Sequence, residues 1–376
     1  MRRIISVDII RGAVMVLMAI DHVRVYAGVP AGGPDPAVFF TRWVTHFCAP
    51  IFVFLAGTSA FLYGRKVASR GALAKFLVLR GLWLVVLELT LLRFAWTFNF
   101  DYANFTFAGV IWVIGWSMVI LGALVFLPPS VVGAIGVAII VGHNALAPIV
   151  GAIESPSWFL RVLYAGWMFE IPELGWHVVV LYTLIPWIGV MAAGYAFGAV
   201  LELPAEKRRR VCFAIGIAAI ALFVLLRATG IYGDPRPWDR TSALGFLNTS
   251  KYPASLQFLL MTLGPMFVAL PLLENARGRV ARWLSVFGQV PFFFYVLHIP
   301  LIHLIALLIS VVRTPDSTGW LFANHPMLPP DVPPGYMWSL GMLYFVTALV
   351  VLLLYFPCRW YAAKKTSAPR AWMRFL

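Results

Sequence analysis

The stretch DIIRGAVMVLMAIDH, residues 8–22, decides the class of fold to which this chain belongs. It is apolar enough to cross a membrane as a helix, yet it contains Asp8, Arg11, Asp21 and His22. A charged side chain at the centre of a span costs on the order of 3 kcal/mol, so these groups should face protein or water and have partners. The same charges interrupt the apolar region that a cleaved signal peptide needs. We therefore predict an uncleaved first membrane span with a polar face.

The composition of the whole chain also indicates a membrane protein. Of its 376 residues, 61% are hydrophobic and 12% are charged, and the mean hydropathy is +0.87. Soluble domains have about 25% charged residues, which excludes an ordinary soluble protein. The cysteines Cys48, Cys212 and Cys358 have neither metal-ligand spacing nor an even count. We therefore predict no disulfide and no metal site.

About ten apolar runs, each of about 20 residues, are long enough to cross ~30 Å of hydrocarbon as helices. They lie near residues 7–27, 45–63, 74–95, 108–127, 130–150, 177–199, 210–229, 255–273, 285–312 and 338–357. The sequence has no fixed-period repeat and no separate soluble segment. It therefore predicts an all-α, polytopic integral membrane protein in which residues 1–376 form a single transmembrane domain.

The segments that connect these runs alternate in charge. Arg2, Arg3, residues 65–75, residues 206–210, residues 276–282 and the tail after Pro357 hold 18 of the 29 Lys and Arg residues. The opposite connections contain more acidic than basic residues. By the positive-inside rule, this pattern places both termini in the cytoplasm. The net charge of +14 is then a signal of topology, and no nucleic-acid partner is predicted.

Helical geometry places polar residues of the first span on one face. At 100° per residue, the eleven steps from Arg11 to His22 rotate by about 20° and rise by about 16 Å. Asp8 lies on the same stripe one turn below Arg11, where the two can pair. Asp21 points about 100° away from His22 and is better placed to reach Arg24. We expect Arg11 near the inner surface of the membrane and His22 near the outer one.

Four other charged residues lie inside the predicted spans or at their ends. For Arg80, Arg93 and Arg227, which are near span ends, we expect side chains that snorkel to the interface. Glu88 lies deeper in its span. It either pairs with an arginine or lines a cavity.

Histidine can act as a base near neutral pH, so each intramembrane histidine is a candidate for that role. His46 opens the second span, and His298 lies in the middle of the ninth, with Tyr295 one turn below it. A lone intramembrane histidine is more often a hydrogen bonder between helices than a catalyst. This structural role is the prediction for His143, His177, His303 and His325.

Six segments of the chain carry a resemblance to a known family. They are SVDIIRGAVMVLMAIDHVR (6–24), THFCAPIFVFLAGTSAFLYGR (45–65), VIWVIGWSMVILGAL (110–124), LYTLIPWIGVMAAGYAFG (181–198), LNTSKYPASLQFLLMTLGP (247–265) and FGQVPFFFYVLHIPL (287–301). Together they resemble the bacterial membrane proteins grouped with the catalytic domain of heparan-α-glucosaminide N-acetyltransferase. The resemblance covers nearly the whole chain in the expected order.

This resemblance implies a transmembrane acyltransferase of the bacterial cytoplasmic (inner) membrane. Cytoplasmic acetyl-CoA, or another acyl-CoA, would be the co-substrate, and no cofactor would be bound permanently. The acceptor would be an extracytoplasmic amine or hydroxyl, as on a glycan. The lipid bilayer is a further partner, and an oligomeric assembly is compatible with the resemblance.

The resemblance also implies roles for individual residues. The related acyltransferase-3 group has Arg, ten residues and then His in its first span, which is the spacing of Arg11 and His22 here. This makes His22 the leading catalytic candidate and Arg11 a residue that draws in the CoA phosphates. The heparan enzyme instead has Asn at the position of His22, and its active histidine precedes an FPWFVF-like motif. The counterpart here is APIFVF, close to His46, so both histidines are candidates.

Acyl transfer requires a base or a nucleophile, together with donors for the developing oxyanion. We predict that His22 is the base and that His46 and Asp21 orient or assist it. The residues expected to line the substrate chamber are His298, Tyr295 and Glu88. One rival interpretation is a transporter that uses intramembrane charges as a substrate or proton path. The other is a non-catalytic scaffold or sensor, in which these residues only stabilise the fold.

Overall fold

The computed structural model describes residues 4–238, 240, 242–324, 330–368 and 370–374, and it is mostly helical. The helices are α1 Ile5–Tyr26, α2 Pro36–Trp43, α3 Cys48–Gly64, α4 Arg70–Leu87, α5 Arg93–Thr97, α6 Val110–Leu124, α7 Pro129–Gly142, α8 Ala147–Gly151, α9 Trp158–Leu160, α10 Leu184–Leu201, α11 Ala205–Thr229, α12 Ala243–Leu247, α13 Leu256–Leu272, α14 Arg279–Gln289, α15 Pro291–Arg313 and α16 Leu340–Ser367. Among the residues used above, Arg2, Arg3 and His325 lie outside the described ranges.

Six helical segments in the described part of the chain are long and apolar enough to cross a membrane. They are Pro36–Gly64, Pro129–Gly151, Leu184–Leu201, Ala205–Thr229, Pro291–Arg313 and Leu340–Ser367. The helices α6 and α13 are apolar but shorter. The helices α1 and α4 also coincide with predicted spans but contain more charged residues. The prediction of a mostly helical chain with several helices suited to cross a membrane is confirmed, and the number of ten spans stays a prediction.

A small mixed sheet departs from the predicted all-α class. Its strands are β1 Thr106–Ala108, β2 Trp167–Ile171 and β3 Trp176–Val180, in the order β1-β3-β2. Strand β3 pairs in parallel with β1 and antiparallel with β2. The predicted sixth span began at residue 177, but its helix α10 begins at Leu184 because β3 occupies the first part of the apolar run. A short apolar run cannot be assigned to helix or strand from periodicity alone.

The ninth predicted span is also divided. Its first part belongs to α14, which ends at Gln289, and the rest forms α15, which begins at Pro291. Val290 between them has φ −134° and ψ 50°, outside the helical region. Pro291 has no N–H to continue α14, but it is well suited to the first position of a new helix.

The chain forms two compact units. The first unit comprises Met1–Cys48, Thr90–Asp101 and Leu272–Leu376, and the second comprises Ala49–Leu89 and Tyr102–Pro271. The single domain over residues 1–376 stays a prediction. Each unit combines segments that are distant in sequence, so side chains from different predicted spans come together within a unit.

Helix α1 is at the centre of the first unit and packs against α14, α15 and α16. Two glycines allow the closest approach between α1 and α14. A methyl group added at Gly12 would overlap the carbonyl oxygen of Leu284, and one added at Gly288 would overlap that of Asp8. The two backbones therefore touch beside the charged N-terminal part of α1.

The second unit is built around α10, which packs against α6 and α7, while α6 also packs against α4. Helix α3 contributes a hydrogen bond from Thr58 Oγ1 to the carbonyl oxygen of Gly194, at 2.9 Å. The three strands belong to the same unit, and β1 leads into α6 through Gly109.

Candidate active site

Two histidines from distant parts of the chain face each other in the first unit. His22 lies in the last two turns of α1, and His298 lies in α15. His22 Nδ1 is 2.6 Å from His298 Nε2. The rings stack with centroids 4.8 Å apart and an angle of 25° between their planes. Because His298 is fully buried and His22 is half-buried, the pair joins a partly accessible imidazole to one held inside the protein.

The other nitrogen of His298 fixes the positions of the protons in this pair. His298 Nδ1 lies 2.6 Å from the carbonyl oxygen of Tyr295 and 3.2 Å from that of Phe294. A carbonyl oxygen only accepts hydrogen bonds, so Nδ1 carries the proton. The Nε2 lone pair of a neutral His298 then accepts a hydrogen bond from His22 Nδ1. With both rings neutral, the basic nitrogen of His22 is therefore Nε2.

Aromatic rings enclose the histidine pair. The Trp96 ring meets His22 edge-on, with centroids 4.8 Å apart and an angle of 75° between planes. The Tyr295 ring lies 6.3 Å from His22 and 5.2 Å from His298. Tyr295 was predicted one turn below His298, and its position next to that residue is confirmed. Trp96 was not predicted, because it lies just beyond the third predicted span and nothing in its sequence indicates a contact with the first.

Asp21 joins α1 to the turn that carries His46. Its carboxylate accepts a hydrogen bond from Arg24 Nε at 3.0 Å, which confirms the predicted contact, and another from Arg42 Nη1 at 2.8 Å. Arg42 Nη1 also donates to Thr45 Oγ1 at 2.9 Å. His46 follows Thr45 in the 3₁₀ turn Val44–Phe47 and is 8% exposed. The Arg42–Asp21 ion pair therefore fixes the turn that carries His46 against the His22 end of α1.

The predicted stripe on α1 is retained, because the helix is continuous from Ile5 to Tyr26. Arg11 is half-buried and Asp8 is 8% exposed. The rise along the helix separates Arg11 from His22 by about 16 Å. Both residues thus remain on one face of α1, at opposite ends.

Glu88 belongs to the second unit, where it caps α6. It is fully buried, and its Oε2 accepts hydrogen bonds from the backbone N–H groups of Ile111 at 2.7 Å and Trp112 at 3.0 Å. A carboxylate satisfies otherwise unbonded N–H groups at a helix N-terminus and is favoured there by the helix dipole. Neither predicted interpretation of Glu88 included this contact. Its role in a substrate chamber stays a prediction.

Two of the other histidines have the predicted structural role. His143 Nε2 lies 2.9 Å from the carbonyl oxygen of Ala254, and His303 Nε2 lies 2.9 Å from that of Leu321. Both side chains are buried. They tie helices to neighbouring segments within their units, as a lone intramembrane histidine commonly does.

The expectation that Arg93 and Arg227 snorkel is wrong. Arg93 is 0% exposed and donates to Thr97 Oγ1 at 3.0 Å and to Asn99 Oδ1 at 2.7 Å. Arg227 is 3% exposed and donates to the carbonyl oxygens of Phe246 at 2.9 Å and Gly245 at 2.7 Å. The acceptors lie in α5 and just beyond it for Arg93 and in the short helix α12 for Arg227, so the guanidinium groups need not reach the membrane surface.

The third residue of this group, Arg80, is half-buried, and its guanidinium carbon lies 6.0 Å from the centroid of the Phe76 ring. This distance is at the outer limit of a cation–π contact. This contact does not show whether the Arg80 side chain snorkels, so that expectation stays a prediction.

Comparison with known proteins identifies the family. The family model described as heparan-alpha-glucosaminide N-acetyltransferase, catalytic, matches residues 3–229. This range contains Arg11, Asp21, His22, His46 and Glu88, whereas His298 and Tyr295 lie beyond it. A search of curated proteins found no match to the chain. Because the family model covers more than half of the sequence, the chain belongs to the heparan-alpha-glucosaminide N-acetyltransferase catalytic family.

Proposed function

We propose that this protein is a membrane acyltransferase that transfers an acetyl group from cytoplasmic acetyl-CoA to an extracytoplasmic amine or hydroxyl group of a glycan. The family supplies the class of reaction. The observation that carries the proposal is the hydrogen bond between His22 and His298, because it presents an oriented imidazole at a half-buried position. A His22 side chain fully buried between helices, without access to substrate, would instead favour a non-catalytic scaffold.

The proposed topology has ten membrane spans and two cytoplasmic termini in the inner membrane of a bacterium. Helices at all ten predicted runs support the number of spans, including the charged α1 and α4 and the divided ninth run. The alternation of basic and acidic connections supports the orientation. In this topology, the Arg11 end of α1 faces the cytoplasmic donor and the His22 end faces the acceptor.

In the proposed reaction, His22 Nε2 takes the proton of the acceptor amine or hydroxyl as that atom attacks the thioester carbonyl. The new bond joins the acetyl carbon to the acceptor nitrogen or oxygen, and the carbon–sulfur bond breaks. The imidazolium of His22 then returns the proton to the departing thiolate, so no proton is gained or lost. His298 holds His22 in one tautomer and accepts its Nδ1–H throughout, as the orienting partner does in a catalytic triad.

Other residues have supporting roles in this proposal. Arg11 attracts the phosphates of CoA at the inner end of the α1 stripe. Asp21, through Arg42, positions the turn that carries His46, which either assists His22 or acts in its place. Tyr295 closes one side of the histidine pair.

The function is tested with the purified full chain in proteoliposomes. Labelled acetyl-CoA is added outside, oligosaccharides are enclosed inside, and the products are identified by mass spectrometry. Glucosamine oligosaccharides test an amine acceptor, and glucose oligosaccharides test a hydroxyl acceptor. Acetylated sugar in the lumen supports the proposal. Consumption of acetyl-CoA no faster than in empty liposomes, with no acetylated product, would contradict it.

A further inference from the structure

The hairpin of β2 and β3 extends beyond the third strand of the small sheet in the second unit. Strand β1 pairs with β3 only at Val178–Val180. The last pair before the turn, Ile171↔Trp176, therefore lies past the end of β1. A ribbon of two strands is marginally stable in water by itself, so its end depends on contacts of its side chains.

The two faces of the hairpin differ in polarity. Directly opposite residues of paired strands point to the same side of a sheet, and successive residues alternate between sides. One face therefore carries four apolar side chains, from the pairs Phe169↔Val178 and Ile171↔Trp176. The other face carries the pair of Glu170 and His177. All four apolar side chains are at least partly exposed.

More exposed apolar side chains lie beside the hairpin. Helix α9 packs against β2, and its Trp158 and Phe159 are 62% and 58% exposed. Leu174, in the turn of the hairpin, is 62% exposed. We call these residues the aromatic patch, which comprises Trp158, Phe159, Phe169, Ile171, Leu174 and Trp176. Clustered exposed apolar side chains of this kind mark a site of interaction with another surface.

The root of the hairpin is held beside the ends of two helices that are suited to cross a membrane. Tyr164 Oη donates a hydrogen bond at 2.9 Å to the carbonyl oxygen of His143, which lies within the apolar segment Pro129–Gly151. A methyl group added at Gly166 would lie 3.2 Å from Cγ2 of Thr183, the residue before α10. Strand β2 therefore begins near the level at which these apolar helices end, which is the membrane interface.

The first residue of β2 has an unfavourable backbone conformation. Trp167 has φ 71°, in the left-handed region that bulky residues rarely adopt. Its ring is 56% exposed, so packing within the chain does not offset the cost of this conformation. A contact of the ring with a surface outside the chain would do so.

The surroundings of the aromatic patch indicate a lipid surface as that partner. Most of the segment Pro129–Gly151 is not buried within the protein, as expected for a helix that faces lipid. Exposed apolar side chains continue from this segment toward α9, at Ile149 and Ile153. The connection 152–183 contains three acidic residues and one basic residue, so its charge does not attract anionic headgroups. Burial of apolar side chains then drives binding, and tryptophan favours the interface.

We propose that the aromatic patch is a membrane-binding element, which rests between the headgroups and the acyl chains of the extracytoplasmic leaflet. Its apolar side chains enter the lipid, whereas Glu170 and His177 face water. This role does not depend on acyl transfer, and it can be measured without acetyl-CoA.

The test uses the full chain in phosphatidylcholine liposomes, with a nitroxide spin label at Leu174→Cys or Trp158→Cys. Glu170→Cys, on the polar face, is the matched control. The native cysteines are buried, and the wild type treated with the label gives the background signal. Electron paramagnetic resonance compares access of oxygen, which partitions into the bilayer, with access of a water-soluble nickel complex. The ratio of oxygen to nickel access is several-fold higher at positions 174 and 158 than at position 170. Phosphatidylglycerol added to the liposomes leaves this ratio unchanged.

Three results would overturn the proposal. Equal access of the nickel complex at positions 158, 170 and 174 would place the patch in water. Low access of both reagents at positions 158 and 174, with dipolar broadening between labels, would identify a second copy of the chain as the partner. Labels that are open to water but protected by added oligosaccharide would identify a glycan-binding surface.

Discussion

His22 Nδ1 and His298 Nε2 lie 2.6 Å apart, although 276 positions separate the two residues in the sequence. On the far side of His298, Nδ1–H donates to the carbonyl oxygen of Tyr295. These two hydrogen bonds in series leave the Nε2 of His22 as its basic nitrogen. This arrangement holds the His22 ring in one orientation, and in the proposed mechanism it stabilises the imidazolium formed when His22 takes a proton.

Replacement of His298 should impair the chemical step more than binding. His298→Phe keeps an aromatic ring but removes the acceptor for His22 Nδ1, so kcat should fall about 10- to 100-fold. The KM for acetyl-CoA should change little, because His298 is buried away from solvent. His298→Gln retains an acceptor oxygen and should recover part of the rate.

Steady-state kinetics of the two His298 variants check this expectation, with His177→Gln as a control in strand β3 of the other unit. A large increase in KM with an unchanged kcat would contradict the positioning role of His298.

Asp21→Asn should destabilise the first unit. The substitution removes the charge that Arg24 and Arg42 share, and both guanidinium groups are nearly buried. Removal of one partner from a buried ion pair lowers the free energy of unfolding by about 3–5 kcal/mol. Because Asp21 is partly exposed, the loss expected here is near or below the lower end of that range. Thermal unfolding in detergent measures the effect. Arg42→Met in the Asp21→Asn background should restore part of the stability, whereas additive losses would contradict the shared network.

Glu88→Leu should destabilise the start of α6. The substitution leaves the N–H groups of Ile111 and Trp112 without their acceptor, at about 1–3 kcal/mol for each buried donor. Glu88→Gln keeps an acceptor oxygen and should cost much less. Hydrogen exchange of the two amides and thermal unfolding distinguish these variants. Equal protection of the amides in Glu88→Leu and the wild type would contradict the capping role.

Gly12→Ala should separate α1 from α14, because the added methyl group would overlap the carbonyl oxygen of Leu284. Overpacking of this kind costs about 1–3 kcal/mol. Gly142→Ala is a matched control, since a methyl group there meets no atom within 4 Å. Thermal unfolding should show a loss of stability for Gly12→Ala alone. Equal Tm values for the two variants would mean that the close contact is absent.

The sequence was most informative where local geometry decides the outcome. The continuous helix through Arg11 and His22, and the contact between Asp21 and Arg24, follow from 3.6 residues per turn. Tyr295 beside His298 follows from the same rule. Helical positions of the predicted spans follow from apolar run length, because a lipid-exposed backbone must satisfy its own hydrogen bonds.

The remaining features depend on contacts between distant segments. The contacts of His22 with His298 and with Trp96 join separate helices. The periodicity of one helix therefore cannot predict them. The burial of Arg93 and Arg227 depends on how the following segments fold back over each helix end, which the geometry of a single helix does not specify. The sheet was missed because the run VVV at 178–180 is equally apolar in a strand or a helix.

The most direct test of the central claim is the rate of acetyl transfer by His22→Ala, His46→Ala and the double variant, each with its fold confirmed by thermal unfolding. A general base raises the rate of such a reaction about 10²–10⁴-fold, so His22→Ala should slow acetyl transfer by a factor of about 10² or more. His46→Ala should lose less, and the double variant should be close to inactive. A well-folded double variant that keeps full acetyl transfer would contradict the account.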